Sequence, residues 1–432
     1  MNYVLGYQCT LCQKEYQADF NLHTCPGCGS NGILEIIYDY EKMRKKVTVR
    51  FLKANKNYSM WRYAPFMTVR EENLYRTLRV GWTPLYSANR LADQLGLKAL
   101  YIKDDGLNPT GSLKDRASTV AVVKALESGM AIIGCSSTGN AASSLAGNAA
   151  RMGVKTVIFV PERVPAGKLA QLLIYGARVI NVSGNYQQTF ELSEQAIERW
   201  GWYNRNCAIN PHLVEGKKTV SLEIAEQLNW DVPDWVAVSV GDGCTIGGVY
   251  KGFYDLLQLG FIEKIPRILG VQAEGCCPFY TAWIESQPLK PAEENTLADS
   301  IAVGVPRNPV KALNAVKCSG GAWITVTDQE ILAAMKTLGS AEGVFGEPAG
   351  VTGLAGLAKA LAKGVIKERE RAAIIVTGNG LKDIHNALKA TGEPLRVQPD
   401  FRELEKIIDS DIRPQTLDNR PKKRKWQENR SS

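Results

Sequence analysis

No apolar run among the 432 residues reaches the ~18–20 residues that a membrane span needs. The first residues, MNYVLGYQCTLC, lack a basic stretch leading into an apolar one, so no signal peptide is legible. Thirty-nine glycines and nineteen prolines show neither a collagen period nor a low-complexity block, which excludes fibrous and wholly disordered chains. Over most of the chain the charges of the two signs nearly balance. The net charge is +8, yet residues 420–432 alone hold six Lys or Arg against Glu428. The excess therefore describes a solvated basic tail, and nucleic acid is not an expected partner. What remains is a cytoplasmic chain without membrane contact, long enough for two or three domains.

The ten cysteines fall into two groups. Six are scattered through apolar or Gly-rich segments, as small hydrophobes in a reducing compartment would be. The other four, Cys9, Cys12, Cys25 and Cys28, form two Cys-x2-Cys turns. Each turn can set two thiolates on one metal, and four sulfurs in a tetrahedron suit zinc. About forty residues make little core, so a structural zinc would hold a ribbon there. His23 is expected at the surface, since four sulfurs already close the site.

After Gly81, short β-branched runs alternate with Gly-rich turns and helical stretches, as in AIIGCSS followed by AASSLAGNAARMG. This alternation predicts βαβ units, parallel sheets and an α/β body of two doubly wound domains. Four loops carry chemistry. In LNPTGSLKDR, Lys114 heads a helical stretch, where the dipole favours the neutral amine that forms a Schiff base. Ser136, Ser137, Thr138, Gly139 and Asn140 can grip a carboxylate and a phenolate oxygen. Gly241, Asp242, Gly243, Cys244 and Thr245 open a nest for a phosphate ester. Thr377 opens a fourth turn, TGNGLKD. Taken singly, each such turn is more often a structural one.

In this order the segments resemble the pyridoxal-phosphate enzymes of fold type II, the tryptophan synthase β-subunit type. Within that group the chain is most similar to the threonine synthase family. The resemblance runs from the cysteine ribbon through LNPTGSLKDR, SSTGN, INPHLVEGKKT, EGVFGEPAG and TGNGLKD. It implies that Lys114 carries the cofactor and serves as base. It implies that Asn140 meets the phenolate, residues 241–245 cradle the phosphate, Thr377 faces the ring nitrogen, and Ser137 and Thr138 hold the substrate carboxylate. It also implies a small amino-acid substrate, O-phosphohomoserine, and a homodimer. The expected layout is a ribbon at 1–40, a helical linker at 41–80, a large cofactor domain from 81–124 and 221–400, a small domain at 125–220, and a C-terminal extension at 401–432.

Three positions depart from the family pattern. Leu213 stands where an arginine is usual, Cys207 where an asparagine is usual, and Asp242 brings a carboxylate where an amide is usual. Losing one charge-assisted contact and gaining a repulsion would weaken phosphate binding by about 10²-fold or more. On that ground a β-elimination or β-replacement enzyme acting on another amino acid is the alternative. A cofactor-binding scaffold joined to a ribbon interaction module is the alternative from another class.

Overall fold

The structure is a computed structural model and describes residues 3–19, 22–137, 139–162, 166–184, 186–206 and 208–411. Thr138, Cys207 and the basic tail lie outside the described residues. The chain divides into a compact unit, Met1–Thr391, and a second, Gly392–Ser432, in which the helix Phe401–Asp411 is described.

Among the described residues, thirteen strands build three sheets. β1 (Val4–Cys9), β2 (Glu15–Gln17) and β3 (Leu34–Tyr38) form an antiparallel sheet in the order β2-β1-β3. A six-stranded sheet contains β4 (Leu85–Ser87), β5 (Ala99–Asp104), β10 (Trp235–Ser239), β11 (Arg267–Ala273), β12 (Ala322–Val326) and β13 (Arg371–Val376). Its order is β12-β11-β10-β13-β5-β4, parallel except for the edge pair β4·β5. A parallel four-stranded sheet contains β6 (Ile132–Ser136), β7 (Lys155–Pro161), β8 (Arg178–Val182) and β9 (Tyr203–Asn204), in the order β8-β7-β6-β9. The expected fold class is therefore correct. WVAVS in β10 is buried along its whole length, as a parallel strand covered by helices on both faces must be.

Residues 41–80 join the N-terminal sheet to the body but are not a solvated connector. Met60, Trp61, Tyr63, Phe66 and Met67 are buried in the largest core cluster. Arg62 pairs with Glu226 at 2.6 Å, and the Tyr63 hydroxyl donates to the same carboxylate at 2.6 Å. The aromatic residues of this stretch supply the area that fixes it to the helix Pro211–Gln227.

The N-terminal sheet lies against the same helix of its own chain. Tyr7 meets His212 edge-on at 5.9 Å, and the Tyr38 hydroxyl donates to Glu215. His23, expected at the surface, is half-buried: its ring packs edge-on against Tyr203 at 5.5 Å.

Candidate active site

Parallel strands present their C-terminal ends to ligands. Here β5, β10 and β13 are neighbours in one sheet, and β6 supplies the corresponding end from the other. The loops after them carry Lys114, residues 241–245, Thr377 and Asn140 in turn. All of these line one cavity of ≈170 Å3, together with Ser136, Ser137 and Glu347.

Among the described residues four helices begin at this cavity, at Lys114, Asn140, Cys244 and Pro348, and none has a side-chain cap at its N-terminus. Elsewhere Thr48, Ser59, Asn210 and Thr327 cap their helices. Uncapped N–H groups at the positive end of a helix suit an anion. Gly243 makes the approach possible at the third helix. Its φ is +87°, and a Cβ there would lie 2.6 Å from the Asn308 carbonyl oxygen.

A buried ionic network sets the position of the Lys114 helix. Arg116 pairs with Asp105 at 2.7 Å and with Glu223 at 2.5 Å, and Lys103 pairs with Glu223 at 2.6 Å. The Thr83 hydroxyl donates to Asp105 at 2.7 Å. Asp115 accepts from the Thr110 backbone and hydroxyl and from Asn148, while burial pushes its carboxyl up to about 6. The loop between β5 and the helix is thus held from both sides of Lys114.

Leu213 does not line the cavity. It is fully buried in a cluster with Ala117, Ala121 and Tyr203. The position where the resemblance puts an arginine is thus occupied here by a core side chain. His212 is likewise buried, with Thr68 at 2.8 Å from its Nδ1. Asp242 does line the cavity, where its Oδ1 accepts the Arg307 backbone N–H at 2.8 Å.

Sequence reasoning missed four charged residues of the lining: Arg205, Lys217, Arg307 and Glu347. Arg205 donates to Ser118 Oγ at 2.9 Å, and the Arg307 guanidinium lies 3.9 Å from the Phe190 ring centre. Glu347 Oε1 accepts from Asn140 Nδ2 at 2.5 Å. Arg205 follows directly on β9, so the strand-end rule that located the other loops reaches it too.

The donor set fits pyridoxal phosphate. An amine, an amide, a hydroxyl and an uncapped glycine turn surround one space. The Asn140 amide oxygen and the Ser136 hydroxyl are buried there without a partner among the described residues. Residues 76–378 match the family model described as pyridoxal-phosphate dependent enzyme. The chain is 43% identical to a threonine synthase of Methanocaldococcus jannaschii over 406 residues, 93% of this chain and 98% of that one. The chain belongs to the threonine synthase family. A second relative, the threonine synthase of Methanosarcina acetivorans, is 40% identical over 93% of this chain and 98% of its own. Diaminopropionate ammonia lyase of Escherichia coli shares the fold, with a TM-score of 0.63 at 19% identity over 72% of this chain and 87% of that one. Like the rest of the threonine synthase family, the protein is a pyridoxal-phosphate-dependent lyase of fold type II. No helix among the described residues is long and apolar enough to cross a membrane.

At the N-terminus the sulfurs of Cys9, Cys12, Cys25 and Cys28 all lie within 4.8 Å of one another.

Proposed function

We propose that the protein converts O-phosphohomoserine and water to threonine and inorganic phosphate. The observation that carries this reading is the meeting of Arg205, Lys217 and Arg307 with Lys114 in one cavity. Three cations there suit a dianionic substrate ester and stabilise it as it leaves. They take the place of the arginine that Leu213 does not supply, so the departure at 213 no longer argues for another substrate.

The cofactor would be held by Lys114, by Asn140 at its phenolate, by Thr377 at its ring nitrogen, and by residues 241–245 at its phosphate. When bound, it supplies an electron sink for carbanions adjacent to it. Lys114 Nζ is the base that takes the proton from the substrate Cα and moves a proton at Cβ. Ser137, beside the uncapped start of the Asn140 helix, binds the α-carboxylate. The neutral hydroxyl of Thr377 would leave the ring nitrogen unprotonated, which would suit elimination and water addition.

We assign a structural zinc to the four cysteines. Zn–S bonds of ~2.3 Å give a tetrahedral edge of ~3.8 Å, and the Cys12 and Cys25 sulfurs are 3.7 Å apart. Four sulfurs close the coordination and leave no position for substrate.

The test is incubation of the purified protein with O-phosphohomoserine. Threonine and phosphate in equal amounts are expected. No phosphate release, with pyruvate from serine or 2-oxobutyrate from threonine instead, would overturn the reading.

A further inference from the structure

The N-terminal sheet does more than cover the body. Ile33 is 3% exposed and forms one buried cluster with Ala208, Val214 and Cys244. Ala208 and Cys244 both line the active-site cavity, and Cys244 starts the helix that follows the glycine turn. A residue of the cysteine segment therefore backs the wall of the phosphate site.

The segment around Ile33 is itself fixed by the cysteine turns. Cys25 N donates to the Gly32 carbonyl at 2.8 Å, and Thr10 N donates to the Ile33 carbonyl at 2.9 Å. Gly32 is pressed between the turns: a Cβ there would lie 2.6 Å from the Cys25 Cβ and 2.7 Å from the Cys28 Cβ. Residues 32 and 33 therefore pack directly on the cysteine turns.

A second connection runs beside the first. Lys311 Nζ donates to the Leu34 carbonyl at 2.8 Å and pairs with Glu35 at 2.9 Å. Lys311 belongs to the helix Pro309–Cys318. The residues just before that helix clasp the glycine turn. Asn308 N donates to the Asp242 carbonyl at 3.2 Å, and Arg307 N to the Asp242 carboxylate at 2.8 Å.

We propose that Ile33 and Lys311 are positioning residues of the phosphate cradle, so that metal held by the four cysteines and cofactor held at residues 241–245 strengthen each other's binding. This rests on the zinc assignment above but not on the identity of the substrate. Coupling of this kind is reciprocal: each ligand must change the other's affinity by the same factor.

The experiment uses full-length protein freed of cofactor with hydroxylamine. Pyridoxal phosphate is titrated in and followed by tryptophan fluorescence, with metal content measured in parallel. Ile33→Ala and Lys311→Met are each expected to weaken cofactor binding by about fivefold or more, the lower range of typical coupling. Leu5→Ala, at an exposed position of the same sheet, serves as control and should leave cofactor binding unchanged. Chelation of the metal should weaken cofactor binding by the factor with which cofactor removal weakens the metal. Circular dichroism reports whether the body stays folded.

Unchanged cofactor affinity in both variants would overturn the proposal. So would protein that holds no metal, or whose cofactor affinity is indifferent to chelation. Failure of the substrate reading is distinct, since it would leave every one of these binding curves in place.

Discussion

Asn140 Nδ2 donates to Glu347 Oε1 at 2.5 Å, and both side chains line the cavity. The bond decides which end of the amide meets each neighbour. Burial pushes the Glu347 carboxyl above its ordinary range, against the pull of Lys168 and Lys382. Glu347→Gln replaces an acceptor with a group that can also donate, which lets Asn140 turn. The expected result is a kcat lower by about 10- to 100-fold, as misplacement of a cofactor contact costs. The visible band of the bound cofactor should shift while circular dichroism stays the same. An unchanged band and rate would remove Glu347 from the site's working parts.

Glu223 governs acid stability. Burial alone would raise its carboxyl, but Arg116 and Lys103 outweigh burial and hold it at about 2 against an ordinary 4.5. A carboxyl depressed in the folded state stabilises fully above its unfolded value and loses that contribution as pH falls toward the folded one. Thermal stability should therefore decline between about pH 4.5 and pH 2. Glu223→Gln should flatten the decline and cost about 3–5 kcal/mol at neutral pH, because it leaves buried cations without their partner. A variant with the wild-type pH profile would contradict this.

Substrate recognition separates Arg307 from Leu213. Arg307→Met should raise KM for O-phosphohomoserine by about 10- to 100-fold, the range of one charge-assisted contact. Cofactor affinity should change little. Leu213→Arg should bring no gain in phosphate-ester activity. It would place a charge among Ala117, Ala121 and Tyr203 and should lower the melting temperature. A Leu213→Arg protein that is stable and more active would reverse the assignment.

The sequence made the backbone of the site legible and its charges obscure. Lys114, Asn140, Gly243 and Thr377 sit in loops that end apolar runs, and parallel strands bring such ends together whatever lies between them in the chain. Nothing local distinguishes Arg307 from a solvated surface cation, because the ring it lies against, Phe190, is distant in sequence. The burial of Leu213 is set by the same kind of distant packing, against Ala117 and Ala121. Helical periodicity says which residues share a face, but only packing says which face meets the cavity. The aromatic stretch at 60–67 and the rings of Tyr7 and His23 carried the docking of the N-terminal sheet. Their partners, Glu226, His212 and Tyr203, lie well over a hundred residues away.

The central claim is that the Lys114 amine carries the cofactor in this cavity. Reduction of the purified protein with borohydride, followed by peptide mass mapping, tests it directly. The account predicts a single phosphopyridoxyl group on the peptide containing Lys114 and a colourless Lys114→Ala protein. A label on another lysine, or none, would contradict it.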